Sequence, residues 1–417
     1  MRPMPRVDLL VTNVGHAVLF KEKPAAGRSS IEVLRDVEVA AKDGIIVAAG
    51  QRGSLRGSYE AEEVIDAGGR LVTPGLIDMH AHALFAGARD DELEMKLSGV
   101  PYAEILRRGG GIYRTVRATR SASDEELASL LASRLSLMLR LGTTTVEVKS
   151  GYGLELAEEE RLLRVIATAA ARSHARVVPT LLAHVPPQEA REGEAREAYV
   201  RSFALELVPR VASLKLARFV DVFCDEGAFS PDESRMILAS AREHGLGVRI
   251  HADQLSRIGC TKVAAELRAS SADHLEASDE SSVRDLVAGG VIAGLLPASA
   301  LATFSPSRPP VNMLREARVP MALGTDFSAN SLMPSMQTAI DLAVYLYGLT
   351  PLEAIAAATV NAAISLGLND VGSLEPGYAA DLVVWDLERP SEFGYQWGRD
   401  RALVVVKGGR ALRRELP

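Results

Sequence analysis

Cysteine is scarce in this sequence: Cys224 and Cys260 are the only two among 417 residues. Two cysteines are too few for the disulfide framework that staples small secreted domains. They are also too few for a structural zinc site built from pairs of cysteines. We therefore expect both side chains to be thiols in or near the core.

Long apolar runs and an excess of basic residues are also missing. Residues 1–20 lack the apolar stretch and cleavage site of a secretory signal, and no later run approaches a membrane span. The net charge of −7 offers no basic surface for nucleic acid. We expect a cytoplasmic protein that binds neither membrane nor nucleic acid, and its 47% apolar residues can form a sizeable core.

The two ends of the chain predict one small β domain. Short β-like runs at residues 7–12, 31–41, 44–49 and 63–72 are separated by turns that contain glycine or polar residues. Two further runs, at 381–385 and 402–406, close the chain. We expect antiparallel pairing of these runs, so that residues 1–72 and 378–417 form a small β-sandwich domain around a larger domain at 73–377.

The middle of the chain predicts an α/β fold, a (β/α)8 or TIM barrel. Short apolar runs alternate with longer amphipathic stretches such as 124–141 and 231–244, the pattern of repeated β-α units. Eight candidate strands occupy residues 76–82, 144–149, 177–183, 219–224, 247–252, 270–274, 291–296 and 319–326. Eight parallel strands close a barrel, and barrel active sites lie at the C-terminal ends of the strands.

His80 and His82 lie at the end of the first of these strands. Positions i and i+2 of a strand point to the same side, so the two imidazoles can share one cation. Two unrelated surface histidines are the alternative for an isolated pair. Other strands also end in or just before polar groups: Lys149, His184, His251, His274 and Asp326. Scattered core histidines would not fall at strand ends of one polarity, so this coincidence favours an active site.

Four of these strand-end residues make a ligand set for one divalent ion: His80, His82, His251 and Asp326. A catalytic zinc takes three or four such ligands and keeps a position for water. Asp326 could also accept the proton of that water, and His274 could orient the water or stabilise the oxyanion. A carbamylated Lys149 that bridges two metals is a second option. Because residues 223–226 add no histidine or lysine, we expect a mononuclear site with Lys149 in an ion pair or supporting the ligands.

Several longer segments are more specific than the metal ligands. They are PGLIDMHAHALFAGARDDE at 74–92, GGGIYRTVRATR at 109–120, GTTTVEVKSGYGL at 142–154, DVFCDEGAFS at 221–230, HADQLS at 251–256, SADHLE at 271–276 and GTDFS at 324–328. These segments resemble the amidohydrolase superfamily and, within it, the imidazolonepropionase family. The resemblance implies one zinc or iron ion on the four ligands. It also implies hydrolysis of the ring amide of 4-imidazolone-5-propanoate to N-formimino-L-glutamate in histidine degradation.

The same resemblance implies four substrate contacts: Arg89, Tyr152, His184 and Gln254. A substrate with a propionate tail calls for a guanidinium, and Arg89 follows the first strand closely enough to bind that carboxylate in a bidentate manner. Tyr102 and Tyr152 could donate hydrogen bonds to the ring or the carboxylate. A surface ion pair of Arg89 with Asp90 or Asp91 is the alternative.

Two segments depart from the family pattern. Residues 328–331 read Ser-Ala-Asn-Ser, where the family commonly has Asn-Pro-Gly-Thr/Ser, so Ser331 alone keeps a hydroxyl for substrate there. Several members carry a glutamate within the two positions after the His-x of the fifth strand. This chain has Asp253 and Gln254 at those positions, so a proton-transferring carboxylate would have to be Asp253.

Two other functions share the predicted barrel and metal. One is a deaminase of a purine, pyrimidine or related ring, which Gln254 disfavours because an amide cannot transfer a proton as a glutamate does. The other is a metal-binding barrel without activity, which the complete ligand set and His274 disfavour. The family resemblance also suggests a homodimer.

Overall fold

The computed structural model describes residues 4–20, 31–100 and 102–415, without the side chains of residues 102, 103 and 106. It begins with five strands: β1 (Arg6–Phe20), β2 (Ile31–Lys42), β3 (Ile45–Gln51), β4 (Glu60–Asp66) and β5 (Leu71–Pro74). The predicted run 63–72 is divided between β4 and β5. Gly68 and Gly69 both have positive φ angles, which glycine adopts readily, and they turn the chain between the two strands.

A parallel barrel follows, and its eight strands lie where the apolar runs predict them. They are β6 (Leu76–Asp78), β7 (Thr143–Lys149), β8 (Arg176–Ala183), β9 (Phe219–Cys224), β10 (Gly247–Ala252), β11 (Ser271–His274), β12 (Ile292–Leu295) and β13 (Met321–Leu323). Each strand pairs in parallel with the next along the chain. Just beyond β6 and β13, Asp326 N donates to His80 O at 3.0 Å and His82 N donates to Phe327 O at 2.9 Å. These bonds join the first strand to the last, so the predicted (β/α)8 barrel is confirmed.

The chain ends with β14 (Leu382–Trp385), β15 (Ala402–Lys407) and β16 (Arg410–Arg414). These strands join the N-terminal ones in a single sheet of order β16-β15-β14-β5-β1-β2-β3, with β4 alongside β1. The prediction that both chain ends build a small β domain is confirmed. The expectation of antiparallel pairing alone was wrong, because the 15-residue β1 is long enough to pair with β2 in antiparallel and with β4 and β5 in parallel.

Helices cover the outside of the barrel. They are α1 (Asp90–Leu97), α2 (Tyr102–Arg107), α3 (Ile112–Ser121), α4 (Asp124–Arg140), α5 (Leu156–Ala171), α6 (Gly193–Ser202), α7 (Val208–Ser213), α8 (Pro231–Glu243), α9 (Cys260–Glu266), α10 (Glu280–Gly289), α11 (Pro297–Ala302), α12 (Val311–Glu316), α13 (Met336–Tyr347), α14 (Pro351–Ala357) and α15 (Val360–Ser365). A capping box between Ser230 and Glu233 starts α8 at its predicted position. None of the helices in the described residues is long and apolar enough to span a bilayer.

The small sheet and the barrel are joined through Gly75. Gly75 N donates to Asp381 O at 2.9 Å, and the Trp385 indole donates to Thr73 Oγ1 at 2.9 Å. A Cβ on Gly75 would lie 2.3 Å from Thr144 Oγ1, so only glycine fits between β5 and the barrel. The strand that precedes the two histidines is therefore fixed to the small sheet at its start.

Candidate active site

The first barrel strand is shorter than its apolar run, and His80 and His82 lie just beyond it. The ladder stops at Asp78, whose carboxylate accepts hydrogen bonds from His80 N at 3.2 Å and from Thr325 N at 3.0 Å. Asp78 thereby links the first strand to the segment that carries Asp326. Burial raises the pKa of Asp78 to about 7, although its hydrogen bonds with Thr325 oppose that shift.

Four donor atoms converge at the mouth of the barrel. His82 Nε2 lies 3.2 Å from His80 Nε2, 3.3 Å from His251 Nε2 and 3.3 Å from Asp326 Oδ1. Asp326 Oδ1 lies 3.7 Å from His80 Nε2. Ligands about 2.0 to 2.1 Å from a tetrahedral zinc stand roughly 3.3 Å apart. His80, His82 and Asp326 therefore have the mutual spacing of ligands to one cation, and His251 adjoins them through its contact with His82 Nε2.

Two buried aspartates fix the orientation of two of these imidazoles. His80 Nδ1 lies 2.7 Å from Asp273 Oδ2, and His251 Nδ1 lies 3.1 Å from Asp221 Oδ1. Each Nδ1–H donates to a carboxylate, so each Nε2 is left with its lone pair directed at the donor cluster. Carboxylate partners of this kind orient metal-binding histidines and increase their basicity.

Two buried cations hold those carboxylates in turn. Lys149 Nζ lies 2.7 Å from Asp221 Oδ2 and 2.8 Å from Glu147 Oε1, while Arg249 Nη2 donates to Asp273 Oδ2 at 3.0 Å. Burial lowers the pKa of Lys149, but the charges of the two carboxylates raise it by more. Lys149 therefore stays an ammonium in the expected ion pair, which argues against its carbamylation.

The charges of this cluster fit a divalent ion. Four carboxylates, of which only that of Asp326 is partly exposed, face two buried cations, Lys149 and Arg249. The carboxylates are Glu147, Asp221, Asp273 and Asp326. Within this group the carboxylates outnumber the cations by two, and buried charge without a partner has a high electrostatic cost. One divalent cation at the converging atoms would offset that excess.

His274 lies beside the converging donors. Its ring centroid is 5.2 Å from that of His251 and 5.5 Å from that of His80. Burial lowers the pKa of His274, but the Glu276 carboxylate raises it by more. The structure thus brings His274 to the predicted site, together with Glu276, which the sequence analysis did not single out.

His184 and Tyr152 form one wall of the site. The ring centroid of His184 lies 5.2 Å from that of His82 and 5.4 Å from that of Tyr152. His184 Nδ1 lies 3.1 Å from Gly151 O, to which it can donate, and burial lowers its pKa to about 3. A neutral imidazole of this kind can exchange hydrogen bonds with a polar ring.

Glu159 of α5 organises the loop that carries Tyr152. Its buried carboxylate accepts hydrogen bonds from Gly151 N at 2.6 Å, Gly153 N at 2.8 Å and Leu154 N at 2.6 Å. Burial nevertheless raises the pKa of Glu159. The position of Tyr152 therefore depends on a carboxylate in the helix that follows the loop.

Arg89 is buried rather than paired at the surface. Only 9% of the residue is exposed, and its Nε and Nη2 donate to Glu92 Oε2 at 2.9 and 2.7 Å. Glu92 Oε1 also accepts from Gly111 N at 2.7 Å. The alternative pairing with Asp90 or Asp91 was wrong, because the first turn of α1 directs Glu92 back to the guanidinium.

The other predicted substrate contacts lie on three separate segments. Tyr102 begins α2, and its side chain lies outside the described residues. Gln254 is half-buried on the loop after β10, where Asp225 accepts hydrogen bonds from the next two backbone amides. Ser331 closes a tight turn through paired backbone hydrogen bonds with Ser328 at 3.0 and 3.1 Å. The side-chain roles of these three residues stay predictions.

The prediction of two free thiols was wrong, because a disulfide joins Cys224 to Cys260. Cys224 ends β9, and Cys260 begins the helix that follows the neighbouring strand β10. The adjacency of β9 and β10 brings the two Cα atoms to 5.9 Å, although 36 positions separate them in sequence. The segment of chain that the disulfide closes contains His251 and the loop that carries Gln254.

Comparison with known proteins decides the family. The model of the amidohydrolase family matches residues 71–412. Proteins named imidazolonepropionase from Pyrobaculum arsenaticum and Deinococcus deserti are each 45% identical to this chain. The alignments cover 97% of this chain and 100% of the first protein, and 96% of this chain and 99% of the second. This chain belongs to the imidazolonepropionase branch of the amidohydrolase family.

Further comparisons agree with this placement among the amidohydrolases. An imidazolonepropionase from Symbiobacterium thermophilum is 42% identical over 99% of this chain and 98% of its own. A zinc-bound adenosine deaminase from Xanthomonas campestris superposes with a TM-score of 0.72 at 22% identity, covering 99% of this chain and 94% of its own. A zinc complex of atrazine chlorohydrolase from Arthrobacter aurescens gives a TM-score of 0.69 at 19% identity, with coverages of 98% and 95%. At such low identity, the two solved structures support the fold alone.

Proposed function

We propose that this chain hydrolyses the ring amide of 4-imidazolone-5-propanoate to N-formimino-L-glutamate, using one zinc or iron ion. The ion would be held by His80, His82, His251 and Asp326. The observation that carries the proposal is the approach of their donor atoms to 3.2 to 3.7 Å of one another within a cluster whose carboxylates outnumber its cations. The imidazolonepropionase relatives supply the substrate.

The bound ion supplies Lewis acidity, which lowers the pKa of water and polarises a carbonyl. Asp326 lies at the cluster with a positive φ of 51°, a strained conformation that aims its carboxylate at His82 and His80. It accepts the proton of the attacking water and passes it to the ring nitrogen that leaves. His274 lies beside His80 and His251, and its Nε2 accepts a hydrogen bond from the attacking water and orients it.

Arg89 is the group proposed to bind the propionate tail. Its guanidinium is held in place by Glu92 and lies close enough to His184 to contribute to the lowering of that residue's pKa. His184 and Tyr152 then contact the ring between the tail and the metal ligands. Pre-positioned contacts of this kind orient the amide carbon towards the water without further ordering.

The first experiment measures turnover of the proposed substrate. Metal-loaded protein should consume imidazolonepropionate, detected by loss of its ultraviolet absorbance, and Asp326→Ala should lower kcat by at least about 10²-fold, since a ligand and a base are lost together. Asp91→Ala is the matched control, because Asp91 is exposed and pairs with Arg114. A metal-loaded wild type that leaves this compound intact, yet releases ammonia from an aminated heterocycle, would support the deaminase instead.

A second experiment tests the tail contact. Arg89→Ala should raise KM and lower kcat/KM by about 10- to 100-fold, the equivalent of roughly 1.5 to 3 kcal/mol for a charged hydrogen-bonded pair, while the bound metal stays unchanged. Arg114→Ala removes a guanidinium that is more exposed and should change neither value. An unchanged KM in Arg89→Ala would remove Arg89 from the substrate site.

A further inference from the structure

Glu276 is a buried carboxylate close to the active site. The residue is 3% exposed, and its Oε2 lies 3.8 Å from His274 Nδ1. Among the described residues, neither Glu276 oxygen has a hydrogen-bond partner, and neither has His274 Nδ1. At 3.8 Å, the His274 imidazole and the Glu276 carboxylate thus form an ion-pair contact without a hydrogen bond.

An unusual backbone brings the two side chains together. His274 and Leu275 have φ angles of 84° and 70°, a left-handed conformation that non-glycine residues rarely adopt in succession. Hydrogen bonds from Leu275 N to Ala252 O at 3.1 Å and from Ala277 N to Asp253 O at 2.7 Å hold the turn. With this backbone, Glu276 Oε2 lies 3.8 Å from Nδ1 of the histidine two positions before it.

The left-handed backbone and the buried carboxylate both lower the stability of the folded state. Each left-handed residue costs about 1 to 2 kcal/mol. A buried carboxylate without hydrogen bonds costs several kcal/mol more. The neighbouring Tyr347 hydroxyl is buried without a partner in the described chain, and burial together with the charge of Glu276 raises its pKa. Backbone strain at His274 and an unpaired buried carboxylate beside it both destabilise the fold, so we infer that the arrangement has a role in function.

We propose that Glu276 is the positioning residue of His274. Its carboxylate attracts the Nδ1–H of His274 across 3.8 Å, which fixes the tautomer and leaves the Nε2 lone pair to accept a hydrogen bond from the attacking water. The role deepens the proposed function and rests on it. It also gives His274 the kind of partner that Asp273 gives His80 and Asp221 gives His251.

Asp253 is the competing carboxylate, since it follows the fifth strand where relatives carry a glutamate. Its Oδ2 accepts hydrogen bonds from the hydroxyls of Ser278 at 2.8 Å and Ser282 at 2.7 Å. These serines belong to the start of α10 and the turn before it, so Oδ2 is engaged outside the metal cluster, while Oδ1 is buried without a partner among the described residues. The structure therefore favours Glu276 over Asp253 as the partner of the catalytic imidazole.

The test compares Glu276→Ala, Glu276→Gln and Asp253→Asn as full-length, zinc-loaded proteins. Glu276→Ala should lower kcat by about 10- to 100-fold with KM and bound zinc unchanged. Glu276→Gln retains one acceptor oxygen in the same shape, so it should recover part of the lost kcat. Asp253→Asn should lower kcat by less than Glu276→Ala does. Glu280→Gln, at the exposed start of α10, is the control that should keep the wild-type kcat.

A spectroscopic readout separates this proposal from the proposed function. In protein with ¹⁵N-labelled histidine, His274 should show a single Nδ1-protonated tautomer, and Glu276→Ala should convert it to a mixture or to the other tautomer. This shift is expected even if the wild type does not act on imidazolonepropionate. The role of Glu276 is overturned if the tautomer is the same in all three variants, if Glu276→Ala loses its zinc, or if Asp253→Asn alone loses kcat.

Discussion

Replacement of Lys149 by methionine tests the buried charge cluster most directly. Lys149 is fully buried, and its ammonium contacts Asp221 at 2.7 Å and Glu147 at 2.8 Å. Methionine fills a similar volume without the charge, so Lys149→Met removes the cation and leaves two carboxylates buried without it. The rest of the packing around the side chain is little changed.

The expected effect is large. Removal of one partner from a buried ion pair costs about 3 to 5 kcal/mol, because the remaining charge is left uncompensated. Asp221 also loses the group that holds it against His251, and loss of such a support weakens metal binding by roughly 10- to 100-fold. Lys149→Met should therefore unfold at a lower denaturant concentration and bind zinc more weakly.

Guanidinium unfolding and zinc calorimetry measure the two effects. The matched control is the double variant Lys149→Met with Glu147→Gln, which removes one negative charge along with the positive one. The double variant should regain part of the stability lost by the single variant. If both single and double variants unfold at the wild-type midpoint, the charge-balance argument is refuted. If zinc affinity is unchanged in Lys149→Met, the support of His251 by Lys149 through Asp221 is refuted.

Two further predictions concern the loops around the site. Replacement of both Cys224 and Cys260 by serine should lower the free energy of unfolding by about 3 to 4 kcal/mol, the chain-entropy value for a loop closed over 36 positions. Reductant should lower wild-type stability to the same level, and no response to reductant would contradict the bond. Glu159→Gln should raise KM without loss of zinc, because fewer amides of the Tyr152 loop are held. An unchanged KM would show that Glu159 has no influence on substrate.

Much of the fold could be predicted from the sequence, because a parallel barrel strand is buried on both faces and appears as a short apolar run. All eight barrel strands were found in this way. The pairing of the terminal strands could not be predicted, since alternation along β1 (Arg6–Phe20) does not reveal which partners run parallel to it. The disulfide was missed for a related reason: its cysteines are neighbours only through the pairing of β9 with β10.

The strand-end histidines and Asp326 could be located because strand polarity places them at one mouth. The buried charged residues that support the ligands were not predicted, although the sequence contains a sign of them. Glu147 precedes Lys149 by two positions, and Arg249 precedes His251 by two, so each pair points to the same side of its strand. Charged residues inside an apolar strand are rarely buried without a partner. Glu276 leaves no such signal, because its position depends on the left-handed backbone that precedes it.

The junction at Gly75 has a consequence for how this protein is made. The strand that leads to His80 and His82 continues directly from β5, and β5 pairs with β14 near the end of the chain. During synthesis, the pairing of β5 with β14 can form only after residues 382–384 have been made. A barrel cut out at residues 73 and 377 would lose the contacts of this strand with β14 and Asp381. We therefore expect the barrel to be less stable without the small sheet.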